Sequence, residues 1–173
     1  MEPVITFFDR DMKQGYVCVM SEIIVYTDGA ALGNPGPGGY GVVMMYGQHR
    51  KELSEGFRYT TNNRMELLAV IMALRHIKNK QLSILVHTDS KYVCDAIAKR
   101  WLQGWIKKNW KNVKNTDLWK EYIQVSQGFD VKYKWVKGHA GIVENERCDF
   151  LATEAAKSNP TEVDANYEKL NPR

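Results

Sequence analysis

A chain of 173 residues suits a single domain with short tails, and it is long enough to bury a hydrophobic core without disulfides or a structural metal. Its three cysteines, Cys18, Cys94 and Cys148, are odd in number and widely spaced, which argues against a disulfide framework or a zinc site and fits a reducing cytoplasm. The net charge of +4 is modest, and no run approaches the roughly 18–20 apolar residues that a membrane helix needs.

Composition divides the chain into three parts. Residues 1–20 form an extension to which the sequence assigns no role, and they lack the basic start of a signal peptide. Met20 is a possible natural start, which is a hypothesis that the mass of the native protein would test. Residues 21–157 carry the periodic patterns of one folded domain. Residues 158–173 form a polar tail that we expect to be loosely attached.

The first half of the domain predicts three strands in succession. Residues 22–27 are rich in β-branched and aromatic side chains, and residues 41–46 and 51–60 repeat this pattern. Between the first two strands, the glycines and prolines of residues 33–39 predict a turn. The short connections indicate a meander.

The second half alternates helices with strands. Apolar residues recur at helical spacing in residues 63–77 and again in Val143–Lys157. Further elements are predicted as strands at 82–88 and 131–136 and as helices at 90–98 and 117–125. The order β-β-β-α-β-α-α-β-α indicates an α/β domain with a mixed sheet and helices packed on it. In such open sheets, active sites form at the carboxyl ends of the strands.

Four acidic residues stand out by their position. Asp28 and Asp89 end the first and fourth predicted strands, while Glu66 falls in the first turn of a helix and Asp149 lies in the last helix. Each also has a structural interpretation: Asp28 in a turn, Asp89 as a helix N-cap, Glu66 in a capping box with Asn63, and Asp149 on a solvated helix face.

Considered together, the four acids point to a metal site. If the first and fourth strands are parallel neighbours, Asp28 and Asp89 emerge side by side, and the helical acids can converge on them. Carboxylates this close repel one another, and a divalent cation removes that cost. Oxygen ligands without a Cys or His cluster favour Mg²⁺ or Mn²⁺ over zinc. Two such ions about 4 Å apart are a known arrangement for cleaving phosphodiesters.

His139 lies in a glycine-flanked loop after the last predicted strand. It could be an ordinary surface histidine. Near the acids, however, it would suit proton transfer or product release, because histidine side chains titrate close to neutral pH.

Four sequence blocks carry a family resemblance. YTDGAALGNPGPGGYG, TTNNRMEL, HTDSKYV and WVKGHAGIVENERCD resemble, in order and spacing, the signature blocks of bacterial type 1 ribonuclease H. The likeness runs from about Ile23 to Ala156, and agreement of all four long blocks by chance is very improbable.

The resemblance implies a ribonuclease H-like fold, with a five-stranded mixed sheet of order 3-2-1-4-5 and a catalytic domain over residues 21–157. It implies Asp28, Glu66, Asp89 and Asp149 as catalytic carboxylates that bind Mg²⁺, with two ions present alongside substrate and Mn²⁺ as a possible substitute. His139 would assist turnover. The implied reaction is endonucleolytic cleavage of the RNA strand of RNA/DNA hybrids, leaving 5′-phosphate and 3′-hydroxyl ends, as in removal of RNA primers during DNA replication.

A basic segment, residues 99–114, carries six Lys or Arg and no acid, and it could be simply an exposed helix pair anchored by tryptophans. The family has a basic protrusion here, which favours a grip on the nucleic-acid backbone. Its loop between Trp110 and Trp119 is shorter than in the best-known members. The expected substrate contacts in this segment are Trp101, Trp105, Lys107, Lys108, Trp110, Lys111 and Lys114.

Four polar residues, Asn34, Thr61, Asn62 and Asn63, cluster near predicted strand ends and a helix N-terminus. Turn and cap chemistry explains them in part, but side-chain amides and helix N-termini also suit phosphate and sugar contacts. They are therefore further expected substrate contacts. Hybrid selectivity would come from shape and from 2′-hydroxyl contacts.

Two other functions remain open at this point. A 3′–5′ exonuclease of the same superfamily also uses four acids on a similar sheet, although the NPGPGGYG and KGHAGIVENERCD blocks argue against it. A non-catalytic hybrid-binding module would be expected to have lost a carboxylate, whereas all four acids are present. The sequence predicts a cytoplasmic monomer that binds an RNA/DNA hybrid and no membrane.

Overall fold

A computed structural model describes residues 22–172, so the predictions about residues 1–20 lie outside the described residues. Five strands form one mixed sheet in the order β3-β2-β1-β4-β5. β1 pairs antiparallel with β2 and parallel with β4, which in turn pairs parallel with β5. The predicted fold class and strand order are therefore confirmed. The strands are β1 (Glu22–Ala31), β2 (Gly36–Tyr46), β3 (His49–Thr60), β4 (Ser83–Thr88) and β5 (Asp130–Trp135).

Within residues 22–172, six helices cover the two faces of the sheet and its ends. They are α1 (Asn62–His76), α2 (Lys91–Ala98), α3 (Trp101–Lys107), α4 (Thr116–Ser126), α5 (Val143–Lys157) and α6 (Ala165–Leu170). The element order contains α3 and α6 in addition to the elements predicted from periodicity. Both are short and bury no residue fully, so neither carries the apolar stripe by which a helix is recognised in a sequence.

The main core lies between the sheet and the α1 and α4 helices. Val25 and Val42 of the sheet, Leu67 of α1 and Trp119 of α4 are completely buried there. α5 covers the opposite face, where its Cys148, Ala152 and Ala156 are buried against β1 and β2. The two layers hold the central strands rigidly, which fixes the positions of side chains at their carboxyl ends.

The predicted glycine turn is mostly strand. β1 ends at Ala31 and β2 begins at Gly36, so only residues 32–35 connect the two strands. Of the glycines in residues 33–39, Gly33 alone has a positive φ, +87°. The others are needed for space: a Cβ on Gly39 would lie 2.7 Å from the carbonyl oxygen of Ala152 in α5. The glycines therefore reflect close approaches of neighbouring backbone and of α5, and the prediction of a seven-residue turn was wrong.

The C-terminal tail is docked, which corrects the expectation of loose attachment. Asp164, the N-cap of α6, is buried and accepts hydrogen bonds from the Thr60 hydroxyl at 2.7 Å and from the Arg64 guanidinium at 2.6 and 2.7 Å. Arg64 also donates to both carboxylate oxygens of Asp117 at the start of α4. One buried arginine thus joins α1, α4 and the tail.

Among residues 22–172, no helix combines the length and the apolar character required to cross a bilayer.

Candidate active site

Asp28 and Asp89 lie side by side at one edge of the sheet. Thr27 of β1 is in register with Thr88 of β4 in a parallel pair, so the next residue of each chain reaches the same level. Asp89 follows directly after β4, as predicted. Asp28 does not end its strand, because β1 continues to Ala31 and Asp28 pairs with Gly41 of β2. Its side chain is consequently buried within the sheet edge.

Glu66 reaches this edge because Gly29 of β1, which has no side chain, lets α1 approach closely. A Cβ on Gly29 would lie 2.2 Å from the backbone nitrogen of Glu66, so α1 can approach β1 this closely only at a glycine. Glu66 is the fifth residue of α1 and so lies beyond the predicted first turn. The capping box with Asn63 is not formed: Thr61 is the N-cap, and Asn62 Nδ2 donates to Glu66 Oε1 at 2.8 Å.

Asp149 reaches the same edge through a second close approach. A Cβ on Gly41 would lie 2.2 Å from the carbonyl oxygen of Cys148, so α5 rests directly on the strand that pairs with Asp28. Asp149 follows Cys148 and is charge-coupled to Asp28. The glycines of β1 and β2 thus bring both helical acids to the two strand acids.

Burial and mutual repulsion shape the electrostatics of this carboxylate cluster, which comprises Asp28, Glu66, Asp89 and Asp149. Burial raises the pKa of Asp28 to about 8, with Asp89 as the next contribution and with Asp149 and Glu66 adding to it. Burial likewise raises the pKa of Glu66 to about 7, against the hydrogen bonds from Ser90 and Asn62. The protein on its own therefore holds Asp28 and Glu66 in an environment that disfavours their charged forms.

Two hydrogen-bond donors of the cluster were missed from the sequence. The Ser90 hydroxyl donates to Glu66 Oε2, and Ser90, rather than Asp89, is the N-cap of α2. Asn145 is buried in α5, where its Nδ2 donates to Asp89 Oδ2 at 3.4 Å. Asn145 precedes Asp149 by four residues, so the helical repeat placed it on the same face and could have revealed it.

The loop after β5 approaches the cluster from outside. A Cβ on Gly138 would lie 2.5 Å from Asp89 Oδ2, so this glycine lets the loop backbone pass beside the carboxylate. His139 has a left-handed φ of +50° and a side chain that is 80 % exposed, with Nδ1 3.9 Å from Asp149 Oδ2. The loop therefore places an exposed imidazole beside Asp149, on the solvent side of the acids.

The donor set fits a hard divalent cation. All four side chains offer carboxylate oxygens, the ligands that Mg²⁺ and Mn²⁺ prefer. Within residues 22–172, no three His, Cys, Asp or Glu side chains already form a closed set of metal ligands. Asp28 Oδ1 accepts the Gly29 N–H at 2.7 Å, and Glu66 and Asp89 are held by Ser90 and Asn145. These hydrogen bonds orient three of the four carboxylates.

The basic segment, residues 99–114, lies between α2 and α4 and contains α3. Lys107, Lys108, Lys111 and Lys114 are all exposed. Of the tryptophans, Trp101 is 40 % exposed, whereas Trp105 and Trp110 pack against the core. The Trp105 ring lies 5.4 Å from that of Trp119. The tryptophans thus anchor the segment, and its lysines face solvent.

The four polar residues expected to contact substrate also lie together. Asn62 N–H donates to the Asn34 side-chain oxygen at 3.2 Å, which ties the β1–β2 connection to the start of α1. Asn34 and Asn63 are exposed, and Thr61 is partly buried at the N-cap position. Because Asn62 also contacts Glu66, this group borders the carboxylate cluster directly.

A mixed sheet of this order, with acids gathered at the carboxyl ends of its central strands, defines a ribonuclease H-like α/β domain. Comparisons with known proteins agree. The RNase H family model matches residues 20–157. Ribonuclease H of Shewanella amazonensis is 52% identical over 154 residues, covering 86% of this chain and 97% of that protein. Ribonuclease HI of Shewanella oneidensis is 52% identical over 151 residues, covering 84% and 94%.

Solved structures show the same likeness. LC9-RNase H1, described as a type 1 RNase H with the type 2 active-site motif, has a TM-score of 0.72 and 35% identity, covering 88% of this chain and 81% of that one. LC11-RNase H1, solved in complex with an RNA/DNA hybrid, has a TM-score of 0.59 and 25% identity, covering 79% and 97%. The chain therefore belongs to the RNase H family, as an enzyme of the bacterial type 1 ribonuclease H group.

Proposed function

We propose that this chain is an endonuclease that hydrolyses the RNA strand of RNA/DNA hybrids and leaves 5′-phosphate and 3′-hydroxyl ends. The observation that carries the proposal is the carboxylate cluster, which four separate elements of the fold bring to one sheet edge beside an exposed polar and basic surface. The hybrid bound to the related LC11-RNase H1 supports the choice of substrate.

Divalent-metal chemistry suits the cluster. Asp28, Glu66, Asp89 and Asp149 would hold Mg²⁺, with Mn²⁺ as a substitute, and two such ions supply an activated water and a neutralised leaving oxygen. Within the chain, Ser90 and Asn62 orient Glu66, and Asn145 orients Asp89. Hydrogen-bond donors of this kind keep metal-binding carboxylates in a fixed orientation.

His139 has a separate role in this proposal. Its imidazole lies outside the buried acids, within 3.9 Å of Asp149, on an exposed loop. The imidazole can exchange a proton at Asp149 Oδ2. It can also swing away from Asp149 when the product is released. This placement favours assistance to turnover over a structural role.

Substrate would lie along the basic segment and along a polar rim, which is formed by Asn34, Thr61, Asn62 and Asn63. Asn34, Thr61, Asn62 and Asn63 would contact sugar and phosphate next to the cluster. The exposed lysines at 107, 108, 111 and 114 would contact the backbone further out, with Trp101 beside them. Trp105 and Trp110 would act through their anchoring of that segment. Such contacts read backbone and shape, so little base specificity is expected.

In the cell, this activity fits a cytoplasmic monomer that removes RNA from hybrids during DNA replication, including RNA primers and R-loops. One compact domain contains the whole proposed site, so no second copy is needed to complete it.

Substitution of Asp89 by asparagine tests the proposal. Asp89→Asn keeps the shape of the side chain but removes a charged oxygen, so we expect hybrid cleavage in Mg²⁺ to be abolished while hybrid binding is largely retained. Asp95→Asn is the matched control, because Asp95 pairs with Lys99 on the surface of α2. Cleavage by Asp89→Asn at the unaltered rate would show that the site assignment is wrong.

A further inference from the structure

A groove of about 790 Å³ borders the start of α1, the helix that carries Glu66. One side is formed by Asn34, Thr61 and Asn63, and another by Lys114 and its neighbours at the end of the basic segment. The third side is α6 of the C-terminal tail, which contributes Asn166, Lys169 and Asn171. The groove thus connects two surfaces already proposed to bind the hybrid, and the tail closes it.

The groove begins close to the reacting groups. Asn63 precedes Glu66 by three residues on α1, a separation of about 5 Å along the helix axis. Adjacent Asn62 contacts Glu66 directly. A nucleic-acid backbone that passes Glu66 along Asn62 and Asn63 would therefore meet this groove.

The chemistry of the groove suits a polyanion. Asp117 is the one acid of its lining, and both of its carboxylate oxygens accept hydrogen bonds from Arg64. Arg64 also donates to Asp164, so the charge of Arg64 is already paired and is not available to a ligand of the groove. Lys114 and Lys169 are exposed and form no ion pair with any of residues 22–172. They stand among side-chain amides, which donate readily to phosphate oxygens.

Lys169 lies on a helix, α6, that is docked against the body of the domain. Asp164 holds the start of α6 through Arg64 and Thr60. Tyr167 lies against the Arg64 guanidinium at 5.5 Å and against the Tyr59 ring at 5.6 Å. A docked element loses less conformational freedom on binding than a free tail would, so a contact from α6 is a favourable one.

We propose that α6 is a substrate-binding element and that Lys169 contacts a backbone phosphate of the bound hybrid, in the same groove that Lys114 lines. The inference rests on the proposed function. It extends the binding surface to the C-terminal tail, which the sequence patterns had set outside the folded domain.

The test compares the salt dependence of hybrid binding, measured in chelator so that no cleavage occurs. Lys169→Gln removes one charge, so we expect the slope of log K against log salt to fall by about one and the Kd at low salt to rise several-fold. A triple change of Lys107, Lys108 and Lys111 to Gln provides a reference for loss of contacts in the basic segment. Lys132→Gln is the matched control, because Lys132 lies near the opposite end of the sheet, at the start of β5.

Steady-state cleavage in Mg²⁺ gives a second measure. Loss of a contact made equally in ground and transition states raises KM and leaves kcat unchanged, and this is the split expected for Lys169→Gln. A slope and KM for Lys169→Gln equal to those of Lys132→Gln would overturn the inference while the proposed function stood. Failure of the unaltered protein to cleave the hybrid would instead count against the proposed function, whatever the binding slopes.

Discussion

Asp28 is the residue where the buried sheet and the carboxylate cluster meet. Its neighbours in sequence could not reveal this, because Asp28-Gly29 also reads as a turn. In the structure Gly29 admits α1, and paired Gly41 admits α5, so the acid is enclosed by both helices. The four acids were singled out from the sequence by their positions and by the family resemblance, and their catalytic role stays a prediction. The sequence did not reveal their hydrogen-bond partners: Ser90 bonds Glu66 of a distant element, and Asn145 was missed although it lies four residues before Asp149 on the same helix.

The raised pKa of Asp28 predicts how the metal-free protein responds to pH. The folded state binds a proton on Asp28 up to about pH 8, whereas an unfolded aspartate loses it near pH 4. Between these values the unfolded chain binds fewer protons, so stability falls as pH rises across that window. Glu66 adds to the same trend up to about pH 7. Asp28→Asn should therefore have a higher Tm than the unaltered protein at about pH 8 in chelator.

Thermal unfolding at about pH 5 and pH 8, in chelator and in Mg²⁺, checks this expectation. The difference in Tm between the two proteins should shrink toward pH 5 and should also shrink when Mg²⁺ is added, because the cation offsets the repulsion that the substitution removes. Equal Tm values at every pH in chelator would contradict the electrostatic account of the cluster.

Gly138 provides a second prediction at the residue scale. A Cβ there would lie 2.5 Å from Asp89 Oδ2, and the carboxylate can avoid it only by rotating. Since a misplacement of about 1 Å costs up to 100-fold in rate, Gly138→Ala should lower kcat by roughly 10-fold to 100-fold. Its φ is not in the left-handed region, so stability should change little.

Gly104→Ala is the matched control for this change. Its added Cβ meets no atom within 4 Å, and Gly104 lies inside α3, where alanine is tolerated. If Gly138→Ala and Gly104→Ala were equally active, the close approach of the loop to Asp89 would have no catalytic consequence.

At the scale of elements, periodicity predicted most of the fold. The strands, α1 and α5 have long patterns of alternating or helical spacing, and their bounds lie within a few residues of those expected. The errors have a common physical cause. Gly39 and Gly41 of β2 are explained by α5, which lies about 110 residues later in the chain, and the docked tail is explained by Arg64, 100 residues before Asp164. Local sequence does not contain such long-range partners.

The Arg64 network makes a testable statement about the tail. Asp164→Ala leaves buried Arg64 with one acid partner in place of two and frees the start of α6. Breaking a buried ion pair in this way costs about 3 kcal/mol of unfolding free energy. The measurement is chemical denaturation, supported by proteolysis, which should cut first within residues 160–171.

Glu154→Gln serves as the control for that experiment, because Glu154 pairs with Lys157 on the exposed face of α5. Its effect should be small, since exposed pairs contribute little. Equal stability of Asp164→Ala and Glu154→Gln would contradict the account of a docked tail.

At the scale of the whole molecule, one sheet edge organises everything the function needs. The carboxylate cluster lies at its centre, the polar rim beside it, and the basic segment and α6 on either side of the groove. The net charge of +4 is small, but six of the 24 Lys and Arg residues lie within residues 99–114, a segment that has no acid. That arrangement attracts a polyanion to the acids despite their own negative charge.

The central claim is that this chain cleaves the RNA strand of a hybrid internally and with a divalent metal. The most direct measurement incubates the protein with a labelled, end-blocked RNA/DNA hybrid in Mg²⁺ or in chelator, beside single-stranded RNA, an RNA duplex and a DNA duplex. The account predicts internal cuts in the RNA of the hybrid alone, with 5′-phosphate and 3′-hydroxyl ends, and only in Mg²⁺. Well-folded protein that binds the hybrid but leaves it intact in both Mg²⁺ and Mn²⁺ would contradict it.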